Sequence, residues 1–506
     1  MRKSLLLATL LVVGIQIDAR FAQSKNQGID SAAFLKVLSD LPPHNLIPID
    51  ALDRTSQQIN NLLYRGLVAL NPNLHPVLDM AKDFSISPNK KTYTFNLQPN
   101  LKDHSSRPID SKKISECISN YFDKSNPARI LSGNLSFLEA FAPDPTTVRI
   151  VLKSPDPSFL KTLAHVKYFR TNSLDAACIR PVAGGMITGS GEYELVNPED
   201  VWNPRIQNLT LIHRKSKKKV QFLFTPDEST RAMILLKGEV DVAINGMFPS
   251  KIKWMKNNLS QKYFYRESAG ANVTYLGFNH SDPDLSKQTI RRAIAQAIDR
   301  EAISRYFLKN LAVPAGGILV GAPNNQISFE LDRSKEILQP LRLKLSYKTT
   351  TSPFGIQRGL LIRDMLQRVG VSLRLDVVDP AVFFQSISVG NFQLFSSRWI
   401  GAADESVYKS SLETGAIKNR FHYSNPIMDT LLSKFDSITS LIPRMKTRAK
   451  VEELIWSDLP YMPLWTWKNT IFISKRLTVP PSFQVPKDGG FGTLYMLLPG
   501  HEGDFE

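Results

Sequence analysis

The residues best equipped to hold a solute lie between positions 399 and 422. Trp399 ends an apolar run and offers a flat face for stacking. Asp404 and Glu405 are adjacent acids in a loop of small residues that includes Ala402, and two neighbouring carboxylates can take a cationic group. Arg420 and His422 flank Phe421 and can meet a carboxylate or a phosphate. A ligand cleft needs this mixture of flat apolar surface and a few placed polar groups. Each residue also has a structural reading that the sequence leaves open. Trp399 can be a core indole at a strand end, the two acids a solvated turn, and Arg420 with His422 a basic pair on the surface.

Covalent chemistry finds no comparable support. The chain has no Gly-x-Ser-x-Gly elbow, no HExxH and no P-loop. Ser87-x-x-Lys90 and Ser216-x-x-Lys219 have the spacing used by penicillin-recognising enzymes, but both sit in polar turns rather than at a helix start. The eight histidines are scattered without pairing at helical spacing, and no Cys/His cluster has zinc spacing. The expectation is a binding protein, not an enzyme, with no cofactor and no metal.

These residues must be positioned by a large scaffold. The chain has 506 residues, 42% of them hydrophobic, which is enough for more than one core. Arg2 and Lys3 precede the apolar run Leu5 to Ile15, and small residues offer cleavage after Ala19 or Ala22. That pattern predicts an export signal over 1–22, with an uncleaved N-terminal anchor as the alternative. The run is short for a membrane span, which needs about 20 residues. No cysteine lies near its end to carry a lipid anchor. A soluble periplasmic protein is expected. Cys117 and Cys178 form one disulfide or remain two buried thiols; their number decides neither.

The net charge of +17 is mostly dispersed. Its one compact run, 214–219, lies between the alternating segments 209–212 and 220–224, which predicts a hairpin with a solvated basic tip. Nucleic acid is not an expected partner. Elsewhere 290–303 carries apolar residues at helical spacing, with Arg291, Arg292, Asp299, Arg300 and Glu301 mostly on the opposite face. The segment 359–369 repeats the helical pattern and stops at Gly370, and 371–377 then alternates as a strand, as does 91–97. Helix, glycine and strand in this order make an α/β unit.

Short motifs in a fixed order carry a family resemblance along nearly the whole chain. They are Leu63-Tyr64-Arg65-Gly66-Leu67, Gly189-Ser190-Gly191-Glu192-Tyr193, Gly238-Glu239-Val240-Asp241-Val242-Ala243, Phe278-Asn279 ahead of the 290–300 helix, and Asp458-Leu459-Pro460-Tyr461-Met462-Pro463-Leu464. Together with the Trp399 loop they resemble family 5 of the bacterial extracellular solute-binding proteins, the peptide- and nickel-binding partners of ABC importers. The resemblance implies a two-lobe periplasmic-binding-protein fold (type II, cluster C-like). Lobe I would span 23–275 with an inserted subdomain near 55–175, lobe II 276–465, and 466–506 would return to lobe I. It implies a monomer that binds a small solute, such as a peptide, between the lobes and delivers it to an inner-membrane ABC permease. Many members read Trp-x-x-Asp-x-x-Asp-Pro at the binding loop, and in peptide binders the first Asp holds the ligand's amino group. Here Ala402 takes that position and Glu405-Ser406 stands where Asp-Pro belongs. These departures leave open an envelope scaffold on the same fold that no longer feeds a transporter.

Overall fold

The computed structural model describes residues 34–498 except 52, 124–135, 157, 172–176, 183, 204–205, 320–326, 402–404, 417 and 439. The N-terminal run and both cleavage positions therefore lie outside the described residues. No helix among the described residues is long and apolar enough to cross a membrane.

Alternation of apolar and polar residues builds the strands. Thr92–Leu97 and Lys219–Phe224 bury every second side chain, with Phe95 and Phe222 fully enclosed. Full burial of one such ring contributes about 1.5–3 kcal/mol. The expected basic-tipped hairpin forms: Asn208–His213 pairs antiparallel with Lys219–Phe224. On its far side Lys219–Phe224 lies parallel to Phe34–Ser39, which in turn pairs parallel with Val242–Ile244. A second parallel pair, Lys344–Thr350 with Ser372–Val378, is connected by the helix Pro353–Gln367, and Gly370 (φ +80°) makes the left-handed turn between helix and strand.

Two long strands join these α/β units into a two-lobe molecule. Tyr263–Phe278 and Tyr461–Ser474 run antiparallel from Tyr263↔Ser474 to Gly277↔Tyr461. At one end Tyr461–Ser474 continues into Val242–Ile244 of the first lobe; at the other, Tyr263–Phe278 continues into Leu394–Trp399 of the second. The register slips between Ala269 and Asn272, a bulge at Gly270 and Ala271. A Cβ on Gly270 would stand 2.3 Å from the Trp467 carbonyl oxygen, so the close approach here requires glycine. Asn272, beside the bulge, accepts from the Gly401 amide at 3.1 Å and donates to the Asp488 carbonyl at 3.4 Å.

A separate four-stranded antiparallel sheet orders Ala81–Ile86, Thr92–Leu97, Thr147–Leu152 and Phe137–Asp144. Helix Ser111–Phe122 packs on it, started by Asp110, whose carboxylate accepts from the Lys113 amide at 2.8 Å. Cys117 on this helix is bonded to Cys178, with Cα atoms 4.8 Å apart, which decides between the two thiol readings.

The 290–303 segment departs from expectation in two ways. It is not one helix: Gln288–Gln296 ends at Ala297, and Asp299 caps a new turn at Arg300–Ala302 by accepting from the Ala302 amide. Nor do its charges all face water. Arg291 is buried and donates to the carbonyls of Leu285, Ser286, Asp458 and Leu459; Arg300 is buried and donates to those of Ala315 and Pro463. The five N–H groups of a guanidinium can satisfy carbonyls left over at helix ends and chain crossings, so these arginines join the second lobe's segments.

Candidate functional site

Leu394–Trp399 delivers the binding-loop residues to the region between the lobes. Strand alternation sends Leu394 and Arg398 to one face of the sheet and Phe395 and Trp399 to the other. On the Trp399 face the indole stacks on Tyr275, with centroids 5.4 Å apart and planes at 25°. Tyr275 is also ringed by Phe421, Tyr461 and Phe395 at 5.6–5.9 Å. Trp399 is half-buried in this aromatic cluster, and among the described residues its Nε1 has no hydrogen-bond partner. Burial pushes the Tyr275 phenol up in pKa, with the Arg420 charge opposing.

The remaining predicted residues spread outward from Trp399. Gly401 follows at φ +62°, beside Leu74 and Asp488 of the first lobe, and its carbonyl accepts from Lys161 at 3.5 Å. Ala402 and Asp404 lie outside the described residues. Glu405 forms an ion pair with Arg444 at 3.1 Å, both side chains under one-fifth exposed. Phe421 enters the core between Arg420 and His422. The Arg420 guanidinium lies over Phe384 at 5.7 Å. His422 is exposed at φ +54°, and its ring abuts Gly390, where a Cβ would come within 2.4 Å of Nε2. Trp399 and Arg420 thus share the surroundings of Tyr275, while Glu405 and His422 are engaged elsewhere.

On the opposite face of the same strand is a cationic group that the motif reading missed. The Arg398 guanidinium lies 5.0 Å over the Trp467 ring. Arg358, on Pro353–Gln367, donates to the Tyr347 hydroxyl at 3.0 Å and to the Ser396 carbonyl at 3.4 Å, two residues along the strand from Arg398. From the first lobe comes Arg54, paired with Asp40 at 3.2 Å. The Arg398 side chain keeps contact with water. Even so, the protein around it, followed by the Arg54 and Arg358 charges, draws its pKa down to about 9, with Asp40 opposing. Among the described residues no carboxylate is within ion-pair distance of Arg398 or Arg358. Beside them Phe248 of the first lobe stacks on Phe354 of the second at 5.6 Å, and Phe354 also meets Phe307 and Trp467. Alternation from Trp399 could have placed Arg398 on this face; nothing in the sequence brings Arg54 and Arg358 to it.

A cavity of about 700 Å³ lies in the first lobe and reaches Ile400 at its edge, with Arg54, Leu74 and Asp488 also among its lining. Among the described residues no group of three or more His, Cys, Asp or Glu is placed to hold a metal ion.

Residues 75–416 match the model of the bacterial extracellular solute-binding proteins, family 5. Glutathione-binding protein GsiB of Escherichia coli K12 is 23% identical over 482 residues, covering 88% of this chain and 91% of that protein. Among solved structures, NikZ from Campylobacter jejuni in complex with Ni(L-His) superposes with a TM-score of 0.78 at 17% identity, covering 92% of this chain and 98% of that one. DppA from Helicobacter pylori in complex with the peptide STSA gives 0.76 at 17%, covering 92% and 97%. At these identities the structures show a shared two-lobe fold.

Proposed function

The chain belongs to the bacterial extracellular solute-binding proteins of family 5, and from that premise we propose that it captures a peptide or related small solute between its lobes in the periplasm and delivers it to an ABC permease in the inner membrane. Lobe I comprises 23–275 with its inserted subdomain, lobe II 276–465, and the remaining chain returns to lobe I. The solute selects and stabilises the closed arrangement, and no covalent step is involved. The bulge at Gly270 and Ala271, within the strands shared by the lobes, is the place where the sheet can flex. The ligand-sized cavity favours solute transport over a scaffold role, since about 700 Å³ lies within the range of small-molecule sites. Glutathione-binding relatives and a peptide-bound neighbour support a peptide-like solute.

One observation carries the choice of ligand charge: among the described residues Arg398 and Arg358 have no carboxylate within ion-pair distance, and Arg54 approaches them from the other lobe. Guanidinium groups suit carboxylates and phosphates geometrically, so the solute carries an anionic group. With Ala402 in place of the amine-holding acid, a free amino group is not required at the Trp399 loop.

The test compares a short peptide, its C-terminal amide and its N-acetyl form by calorimetry and small-angle scattering. The free acid and its acetylated form should bind, reduce the radius of gyration and raise the melting temperature. The amide should bind at least tenfold more weakly, and Arg398→Gln should erase the difference. Equal binding of acid and amide refutes the anionic assignment; tight binding with no compaction refutes closure.

A further inference from the structure

The cavity in the first lobe has walls of an unusual kind. One is the helix Arg54–Leu63, started by Asp53, whose carboxylate accepts from the Ser56 amide at 2.9 Å. The returning tail, from Pro486 to Tyr495, forms another, and Tyr193 and His213 line the far side. Gln58, Asn60 and Tyr193 line this cavity and are 4%, 3% and 2% exposed. Among the described residues the Gln58 Nε2, both side-chain polar atoms of Asn60 and the Tyr193 hydroxyl have no hydrogen-bond partner. A buried polar atom without a partner costs about 1–3 kcal/mol, and native proteins seldom leave several together unless something else satisfies them.

Three arginines at the walls are committed to carboxylates. Arg65 pairs with Asp79 at 2.6 Å, Arg54 with Asp40 at 3.2 Å and Arg214 with Glu194 at 2.7 Å. Lys102, Lys167, Lys215 and Glu192 also line the chamber, but its buried side-chain atoms without a partner among the described residues all belong to neutral groups, two carboxamides and a phenol. Asn60 offers a donor and an acceptor from one side chain, the complement of an amide or a pair of hydroxyls. The lining also reaches Arg54, Ile400 and Asp488, the last held beside the hinge by its carbonyl's bond to Asn272.

We infer that this chamber is a binding pocket of its own, taking a neutral, amide- or hydroxyl-rich portion of the solute on Gln58, Asn60 and Tyr193. The inference deepens the solute-binding reading and rests on it. An anionic end meets the arginines between the lobes while the polar body extends into lobe I. Two sources supply such chemistry, peptide amides and sugar hydroxyls.

The experiment uses the full-length protein, calorimetry and two probes that each carry one carboxylate, tetra-alanine and di-N-acetylchitobionic acid, followed by a crystal structure with the probe that binds. Asn60→Leu should weaken that probe at least tenfold without lowering the melting temperature, because it removes two unpaired atoms. If Asn60→Leu does not fold, Tyr193→Phe removes the hydroxyl alone and should weaken binding at least threefold. Tetra-alanine binding assigns the chamber to peptide amides, chitobionate binding to sugar hydroxyls. Three results overturn the inference: neither probe binds, the crystal shows ordered water alone in the chamber, or affinity is unchanged in both variants. The last can occur with Arg398→Gln still weakening the bound probe about tenfold. That outcome removes the chamber and leaves the cleft reading intact.

Discussion

Glu452 gives the sharpest test of the physical reasoning. It lies on the helix Leu441–Asp458, under the aromatic cluster that supports Trp399, and is fully buried. One carboxylate oxygen accepts from the Tyr408 hydroxyl; the other, Oε2, has no partner. Burial pushes its pKa from the ordinary 4.5 up to about 7, against the opposing effects of Tyr408 and Arg448. A folded-state pKa above the unfolded value means that the native protein holds the proton more tightly. The stabilisation is then fully present below about pH 4.5 and is lost as pH rises through about 7. At about 1.4 kcal/mol per pH unit, the loss approaches about 3 kcal/mol. An unfolding entropy of about 2.1 cal/mol/K per residue makes that about 3 °C in melting temperature for a chain of this length. Glu452→Gln keeps the shape and the acceptor without the charge. Melting curves from pH 4 to 8.5 should coincide with wild type at the acid end and separate as pH rises, the variant melting about 3 °C higher at pH 8. Parallel curves, or a variant less stable at pH 8, would show that the carboxylate is solvated or paired when charged.

The Cys117–Cys178 bond closes a loop of 61 residues. On chain-entropy grounds its removal by Cys117→Ala with Cys178→Ala should cost up to about 4 kcal/mol, read as a lower denaturant midpoint that matches the reduced wild type; an unchanged midpoint refutes a constraint on the unfolded chain. Glu405→Gln breaks the pair with Arg444 and should cost about 1 kcal/mol of stability while leaving solute affinity within threefold. A tenfold loss of affinity by calorimetry would instead make Glu405 a ligand contact.

What the sequence made legible depended on whether local pattern or long-range placement decided the outcome. Lys219–Phe224 and Thr92–Leu97 are read correctly because burial on one sheet face imposes period two. Gly370 marks its turn because few other residues adopt φ +80° without strain. Arg291 and Arg300 are misread because periodicity treats every charge as solvent-facing, whereas carbonyls from segments more than 150 residues away await them. Asn60 and Gln58 fall in the polar run Gln57-Gln58-Ile59-Asn60-Asn61, and their place in a chamber depends on the tail that forms its other wall. The same limit applies to the cleft: Trp399 announces itself by type and context, but Arg54, Arg358 and Arg398 meet only through the fold. Cys117 and Cys178 could not be paired from the sequence, because a separation of 61 positions says nothing about a 4.8 Å approach.

The shared strand Tyr461–Ser474 also fixes an order of assembly. In the first lobe Val242–Ile244 lies between Phe34–Ser39 and Tyr461–Ser474, so early and late parts of the chain meet at one three-residue strand. Phe483, Phe491, Leu494 and Met496 then complete the core begun by Leu35 and Val37. A nascent chain that has emerged as far as residue 460 therefore exposes a bare edge at Val242–Ile244 and an unfilled core, however complete its earlier elements. The first lobe begins first and finishes last. Pairings this distant make folding slow, and the open edge is a target for wrong partners until the last strand arrives. A chaperone that shields Val242–Ile244 during that interval would serve this topology better than one that accelerates any single element.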